Sequence, residues 1–406
     1  MQRRLTTLLV VLIAHSVASI EAQERVLSFE EVIRMARANA PAVMVARARI
    51  DEARSELIGA TPRFRENPNV EGTLGRRDAE DRNYTDSELQ VSQSFELGGR
   101  RSLRIDRANA AIARETAAGA EIERLVTGDA ARAYVHALGA NERLRLAESS
   151  RDLAKQLLDA TDRRHRAGDV PDLDLNAARI AHARAASDVL AAQSALHSEL
   201  GELRAILGLP QSERINVSGD LRTQRPPDLE TLLARASERS ELRVLAAERD
   251  VAEADRRLGT SYRLPDLGAR FGIGHEEGDN LVTAAIGVTL PIFQRGQELQ
   301  ALGVARARRA ELELSAARAR IETEVRAAFE SWQRASEALA LVEQEALPAI
   351  VDNEGLSLRS YEAGAINLPE LLVLRREILD ARETYVQRLI EAAEAAVEVE
   401  VRAGAL

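Results

Sequence analysis

Along most of this chain apolar residues return every three or four positions, the spacing of one face of an α-helix, but in two stretches they return every second position, the spacing of a strand. The helical pattern opens at Ser28-Phe29-Glu30-Glu31, a capping-box sequence, and runs through Val32, Ile33, Ala36, Ala40, Val43 and Ala46, with Pro41 as a candidate break. It stops at residues 61–68. Beyond them Asn69-Val70-Glu71-Gly72-Thr73-Leu74 alternates, and residues 76–83 read as a charged loop. A second alternating run sets Leu89, Val91, Phe95 and Leu97 against Glu88, Gln90, Ser92, Ser94 and Glu96. The spacing predicts a β-hairpin over 67–97 with one oily and one wet side.

Gly98-Gly99 ends that hairpin, and from residue 100 to about 162 no proline interrupts the helical period, enough for a helix on the order of 95 Å long. A helix stop and restart follows at 163–174, Arg-Arg-His-Arg-Ala-Gly-Asp-Val-Pro-Asp-Leu-Asp, and a second long helix is expected over Asp172–Leu207. Gly208-Leu209-Pro210 stops it, and a short strand Ile215-Asn216-Val217 is expected in the irregular segment that follows.

The second half then repeats the first. Asp228-Leu229-Glu230 echoes Ser28-Phe29-Glu30, Pro265 echoes Pro68, Gly296 echoes Gly99 and Gly364 echoes Gly168, all at offsets of 196–200 residues. Four features in one order at nearly one offset indicate a duplicated unit. In the second hairpin, expected over 265–293, Leu267, Ala269, Phe271 and Ile273 share a face, as do Ile286, Val288, Leu290 and Ile292. The second tip falls at 359–371. The predicted organisation is a signal peptide at 1–22, a first repeat at 23–213, a connection at 214–227 and a second repeat at 228–406.

Composition narrows the class. Hydrophobic content is 45% with only 3% aromatics, so the apolar residues are mostly small and aliphatic, suited to closely packed long helices. The net charge of −10 comes from interspersed charges, without the basic stripe that nucleic acid requires. No cysteine is present, which removes disulfides, thiolate metal sites and lipidation of an N-terminal Cys. Arg3 and Arg4 followed by an apolar run and the small residues Ala18, Ser19 and Ala22 predict an export signal, too short for a spanning helix. Six of the twelve aromatics, Phe64, Tyr84, Phe95, Tyr262, Phe271 and Phe293, lie in or beside the alternating runs, where a membrane barrel needs them. Four strands cannot close a transmembrane barrel, so several copies must pool theirs; three copies would make twelve strands.

The helix, hairpin, long-helix order twice over, the two Ala-Gly turns and Leu290-Pro291-Ile292-Phe293 before Gly296 resemble the TolC-type outer-membrane efflux factors, over nearly the whole chain after the signal. The short C-terminal side looks most like the heavy-metal subgroup, and the missing cysteine departs from many relatives. The resemblance implies a mainly α fold with a membrane β-barrel part: duplicated helical hairpins forming a trimeric periplasmic α-barrel, and four strands per chain pooled into a twelve-stranded outer-membrane barrel. It further implies a homotrimer in outer-membrane lipid that works with a periplasmic adaptor (membrane fusion) protein and an inner-membrane pump. The function implied is a passive exit duct for metal cations or small toxic compounds. Acidic residues six positions after each turn glycine, Asp174 and Glu370, are the expected cation-selecting aperture, with helix capping as their alternative role. Arg166, Ala167, Gly168, Tyr361, Glu362, Ala363 and Gly364 are the expected adaptor contacts. The competing reading is a soluble periplasmic coiled-coil adaptor or scaffold, to which oily strand faces are of no use.

Enzymatic chemistry finds little footing. Gly272-Ile273-Gly274 lacks the third glycine of a dinucleotide loop and lies within a strand. His275, Glu276, Glu277 and Asp279 could in principle hold a metal, and His165, near Asp162 and Asp169, could sense pH, but no catalytic, cofactor or metal site is expected.

Overall fold

The computed structural model describes residues 25–78, 83–223 and 225–406; the expected signal at 1–22 lies outside them. Strand β1 (Arg25–Leu27) precedes helices α1 (Phe29–Asn39) and α2 (Pro41–Ala60), hairpin strands β2 (Asn69–Asp78) and β3 (Asn83–Phe95), and the long pair α3 (Arg100–Arg166) and α4 (Asp172–Leu207). The second half runs β4 (Ile215–Val217), α5 (Leu229–Ala236), α6 (Ser240–Ser261), β5 (Asp266–Glu276), β6 (Asp279–Thr289), α7 (Gln297–Leu341), α8 (Leu347–Glu362) and α9 (Leu368–Ala403).

Local chemistry sets most of these ends. Ser28 accepts from Glu31 N at 3.3 Å while the Glu31 carboxylate accepts from Ser28 N at 3.0 Å, closing the capping box. Pro41, at the first turn of α2, separates it from α1 because a proline nitrogen cannot continue the helical bonding. Three boundaries differ from expectation. In the charged segment at 76–83 the described residues are strand, since β2 reaches Asp78 and β3 starts at Asn83; residues 79–82 lie outside the described residues. Strand β6 ends at Thr289, so Leu290 and Ile292 lie beyond the ladder, where Pro291 has no N–H to extend it. Finally, the long helix after the second hairpin is not continuous: a π-helical turn, Val342–Ala346, separates α7 from α8, just before Pro348.

Strands β1 and β4 pair in parallel, joining the start of the first repeat to the connection after it. Around this short ladder lies the largest core, in which Leu27, Val32, Tyr134, Val135, Leu203, Val217 and Val397 are buried. Tyr134 donates from its hydroxyl to Ser218 O at 2.6 Å. Helix α3 serves both ends of the molecule, with the sheet at its start and the helical tip at its end. Its 67 residues span about 100 Å at the α-helical rise.

Candidate functional site: a two-faced sheet, its junction and two helical tips

The four long strands form one antiparallel sheet in the order β2-β3-β5-β6. Residues directly opposite in an antiparallel pair point to the same side, so the register decides whether the two oily hairpin faces merge. They do. Val70 lies opposite Val91, Val91 opposite Phe271 and Phe271 opposite Ala284; the row on one side joins Leu89, Ile273 and Val282, and on the other, past Gln93, Ala269 and Ile286, come Phe95, Leu267 and Val288. The reverse side carries Glu71, Gln90 and Thr283 in one row and Asn69, Ser92 and Arg270 in another. Gln90 donates to Glu71 there at 3.1 Å. Strands of 10 to 13 residues suffice to cross a hydrocarbon core, for which about 9–11 tilted residues are needed. Strands β2 and β6 each have one edge without a partner strand among the described residues.

At one end of the sheet Arg77 gathers Asp86 at 3.0 Å, Glu276 at 2.8 Å and Glu277. Two of the carboxylates considered as metal ligands thus hold an arginine. Among the described residues no cluster of three or more His, Asp or Glu is placed to bind a metal ion.

At the other end the sheet meets the helices through Arg100, a residue that no local pattern marks. Its side chain is 3% exposed. It donates to Asp266 Oδ1 at 2.6 Å, to Ser261 O at 3.3 Å and to Leu264 O, and lies 4.9 Å from the ring centre of Tyr262. A cation at the first residue of α3 opposes that helix's own dipole, but it sits against carbonyls at the C-terminal end of α6, where positive charge is favoured. Nearby, Gly296 has φ +68°, and a Cβ there would come within 2.2 Å of Gly259 O. Only glycine serves at this entry to α7.

Further along the helices, His136 of α3 lies 3.1 Å from Glu394 of α9 and 3.7 Å from Glu199 of α4. The hydrogen bond to Glu394, reinforced by the charges of Glu394, Glu199 and Glu202 against a smaller effect of burial, raises the imidazole above its usual value. A folded-state pKa above the unfolded one means that the stabilisation is complete below about pH 6.5 and is lost as pH rises through the folded value. We expect an NMR titration midpoint for His136 above 6.5, and a flatter dependence of melting temperature on pH between 6 and 8 in His136→Gln. Equal pH slopes in the two proteins would reject the assignment.

The two helical tips are built alike. Gly168 N donates to His165 O at 2.9 Å and Asp169 N to Arg164 O at 2.9 Å; Gly364 N donates to Tyr361 O at 3.0 Å and Ala365 N to Ser360 O at 2.9 Å. These are Schellman ends, with the glycines at φ +85° and +75°. A Cβ would meet nothing at either glycine, so backbone conformation and not space requires them.

The tips join through Tyr361. Its ring is 1% exposed, packed with Leu157, Leu368 and Leu371, its hydroxyl is 3.2 Å from Thr161 Oγ1, and Arg164 lies 4.9 Å from its ring centre. The side chain of Tyr361, one of the expected adaptor contacts, is thus spent on packing the tip interior. Arg166, Ala167, Gly168, Glu362, Ala363 and Gly364 are exposed, with Arg166 paired to Asp162 at 2.5 Å. His165 faces Asp172 at 2.7 Å rather than Asp162 or Asp169. The two aperture candidates differ: Glu370 closes a capping box with Asn367 at 3.0 and 2.9 Å, whereas Asp174 is in the first turn of α4, a helix with no side-chain cap.

A two-faced sheet with open edges, continued by long helical hairpins, defines the class of outer-membrane channels in which a β-barrel opens into a helical barrel. The chain belongs to the outer membrane efflux protein family, which it matches over residues 32–209 and 233–405. It is similar to the cobalt-zinc-cadmium resistance protein CzcC of Cupriavidus metallidurans, at 28% identity over 323 residues, covering 77% of this chain and 76% of that relative. Among solved structures it is similar to CusC, with a TM-score of 0.75, 17% identity and coverage of 92% of this chain and 91% of the other. It is likewise similar to a membrane protein from Pseudomonas aeruginosa, with a TM-score of 0.74, 19% identity and 93% of each chain. At these identities the structural likeness establishes the fold, mainly helical with a helical barrel and a β-barrel part. The family is one of channels, and this chain is not an enzyme. No helix among the described residues is long and apolar enough to cross a membrane, a criterion that does not bear on strands.

Proposed function

We propose that three copies of this chain form the outer-membrane exit duct of a tripartite exporter. The observation that carries this reading is the sheet: one continuous oily face over four strands, with an unpaired edge on each side. An open edge in lipid leaves backbone groups unsatisfied, and β6 of one copy on β2 of the next preserves the antiparallel alternation. Three such seams close twelve strands, with the polar face, including Glu71, Glu88 and Arg270, lining the lumen. The helices then extend into the periplasm as a tube. Their tips form its inner mouth, which docks on an adaptor and, directly or through it, on an inner-membrane pump.

Metal cations are the cargo this reading favours, because the relative CzcC is named for cobalt-zinc-cadmium resistance. Three copies each of Asp174 and Glu370 at a narrow mouth would enrich cations there. Glu370 can serve as both cap and ring, since the capping box leaves its side chain exposed. The purified protein should run as a trimer in detergent and conduct in planar bilayers. Monomers without conductance would reject the duct, and release into the soluble periplasm on fractionation would favour a scaffold instead. The aperture is tested separately: Asp174→Ala with Glu370→Ala should lower cation preference in the reversal potential, and an unchanged channel would remove these residues from that role.

A further inference from the structure

The segments that join the sheet to the helices carry an excess of positive charge. Residues 61–66, 98–102, 262–265 and 290–298 hold six arginines against two glutamates, in a chain whose net charge is −10. Arg100 is buried and spent on Asp266. The other five, Arg63, Arg65, Arg101, Arg263 and Arg295, are exposed. Among the described residues none of the five is in an ion pair, and neither are the two glutamates, Glu66 and Glu298. The nearby Glu96 is already held by Arg104. The opposite end of the sheet differs, because there Arg76 is paired with Asp78 and Arg77 with Asp86, Glu276 and Glu277.

Exposed apolar side chains share this level. Phe293 is 86% exposed, Leu264, Leu290 and Ile292 are exposed as well, and Phe64 sets its ring edge-on to Phe95, at the end of the oily rows, with ring centres 5.5 Å apart. Arg65, next to Phe64, donates to the Tyr262 hydroxyl at 3.1 Å. Aromatic rings and cations at the foot of an oily strand face suit the boundary between hydrocarbon and headgroups. Arg63 and Arg65 precede β2, Arg295 follows β6, and the register puts the start of β2 and the end of β6 at the same end of the sheet. Where β6 of one copy closes on β2 of the next, arginines of two copies meet on one seam, and their like charges call for an anion between them.

We propose that this junction is a collar that docks anionic phospholipid of the periplasmic leaflet, with the headgroup phosphate on Arg63 and Arg65 of one copy and Arg295 of the next, and the chains along Phe64, Phe293 and the foot of the oily face. The proposal rests on the barrel reading above. Arginine takes a phosphate through paired, charge-assisted hydrogen bonds, and its apolar stem lies along the boundary while the charge reaches the headgroups. A soluble anion would leave the apolar side chains uncovered and forfeit their contribution. The collar fixes the depth of the barrel at the helix end, where the arginines are open, and not at the far end, where they are spent within the sheet.

The test uses the full chain in phosphatidylcholine vesicles containing a trace of phosphatidylglycerol or phosphatidylcholine spin-labelled on the acyl chain. Electron paramagnetic resonance then measures the labelled lipid held at the protein surface. Phosphatidylglycerol should be held about two- to fivefold more strongly, the upper figure being the effect of one arginine beside an anionic headgroup and the lower its dilution by lipids that touch no arginine. Arg63→Gln, Arg65→Gln and Arg295→Gln together should bring the ratio towards one, and Arg334→Gln, an exposed arginine well along α7, should leave it unchanged. The comparison of the two lipids on the native protein does not depend on any variant folding. A preference that survives in the triple variant would overturn the proposal, as would displacement of the labelled phosphatidylglycerol by millimolar inorganic phosphate, the mark of a free-anion site. A conducting trimer that holds both lipids equally would overturn the collar and leave the duct standing, so the two failures are distinct.

Discussion

Arg100→Met is expected to lower stability by about 2–4 kcal/mol, short of the full cost of breaking a buried ion pair because the Asp266 left behind is a third exposed. Methionine keeps most of the apolar stem, so the loss is chiefly electrostatic. Asp266 would be left without its 2.6 Å partner, and Ser261 O and Leu264 O at the end of α6 would lose a donor. Because the residue ties the first turn of α3 to the end of α6 and the start of β5, the damage falls where strands become helices. It should appear as an earlier unfolding midpoint in denaturant, with the strand signal lost first. Arg101→Met is the control: that side chain is exposed and donates to Thr61 O at 2.8 Å, so an effect of at most about 1 kcal/mol is expected. Arg100→Met combined with Asp266→Leu should recover part of the loss, because no unpaired carboxylate remains. A single Arg100→Met midpoint equal to that of the native protein would mean that the junction does not depend on this hub.

A charge on the oily face should cost about as much. Phe271 lies near the middle of β5, between Val91 and Ala284 in the register, and is 55% exposed in the isolated chain. If that face meets lipid, Phe271→Arg should destabilise the folded protein by about 2–4 kcal/mol, the range for arginine at the midplane of a membrane barrel. Thr283→Arg, on the opposite face in the row of Gly272, Gln90 and Glu71, should be tolerated. The chain already places an arginine one residue from Phe271, at Arg270, where alternation turns it to the wet side. Folding yields into lipid vesicles and urea midpoints of the two variants compare the faces directly. Equal tolerance at 271 and 283 would argue against a bilayer around this sheet.

What could be read before the fold was that part of the chemistry lying within a few residues. The capping box at Ser28, the start of α2 at Pro41, the bounds of α4 and both glycine turns follow from short-range chemistry, a capping side chain, a proline ring or a glycine free to take positive φ. The alternation of each hairpin was equally plain, since its period of two is a local property. A tyrosine beside a turn glycine has the sequence of an exposed tip, and Tyr361 becomes a core residue only where Leu157, Thr161 and Arg164 of the other hairpin close on it. The π-helical turn at Val342–Ala346 had one local cue, Pro348, and a distant contact that no window contains. Arg222 donates to Glu343 at 3.1 Å, from a segment more than a hundred residues earlier.

By itself the sequence determined the duplicated order of elements, the two oily hairpin faces and the two tips, because periodicity, caps and turn glycines are short-range physics. Only the tertiary structure decided that the oily rows of β3 and β5 fall in register, so that two separate faces become one surface a membrane can cover. It also decided that Arg100 is buried and holds sheet to helix, while Arg63, Arg65 and Arg295 of the same junction are left exposed and without an ion pair among the described residues. Strand register and the fate of a buried charge depend on which distant residues arrive opposite, and that is fixed only when the whole chain is packed.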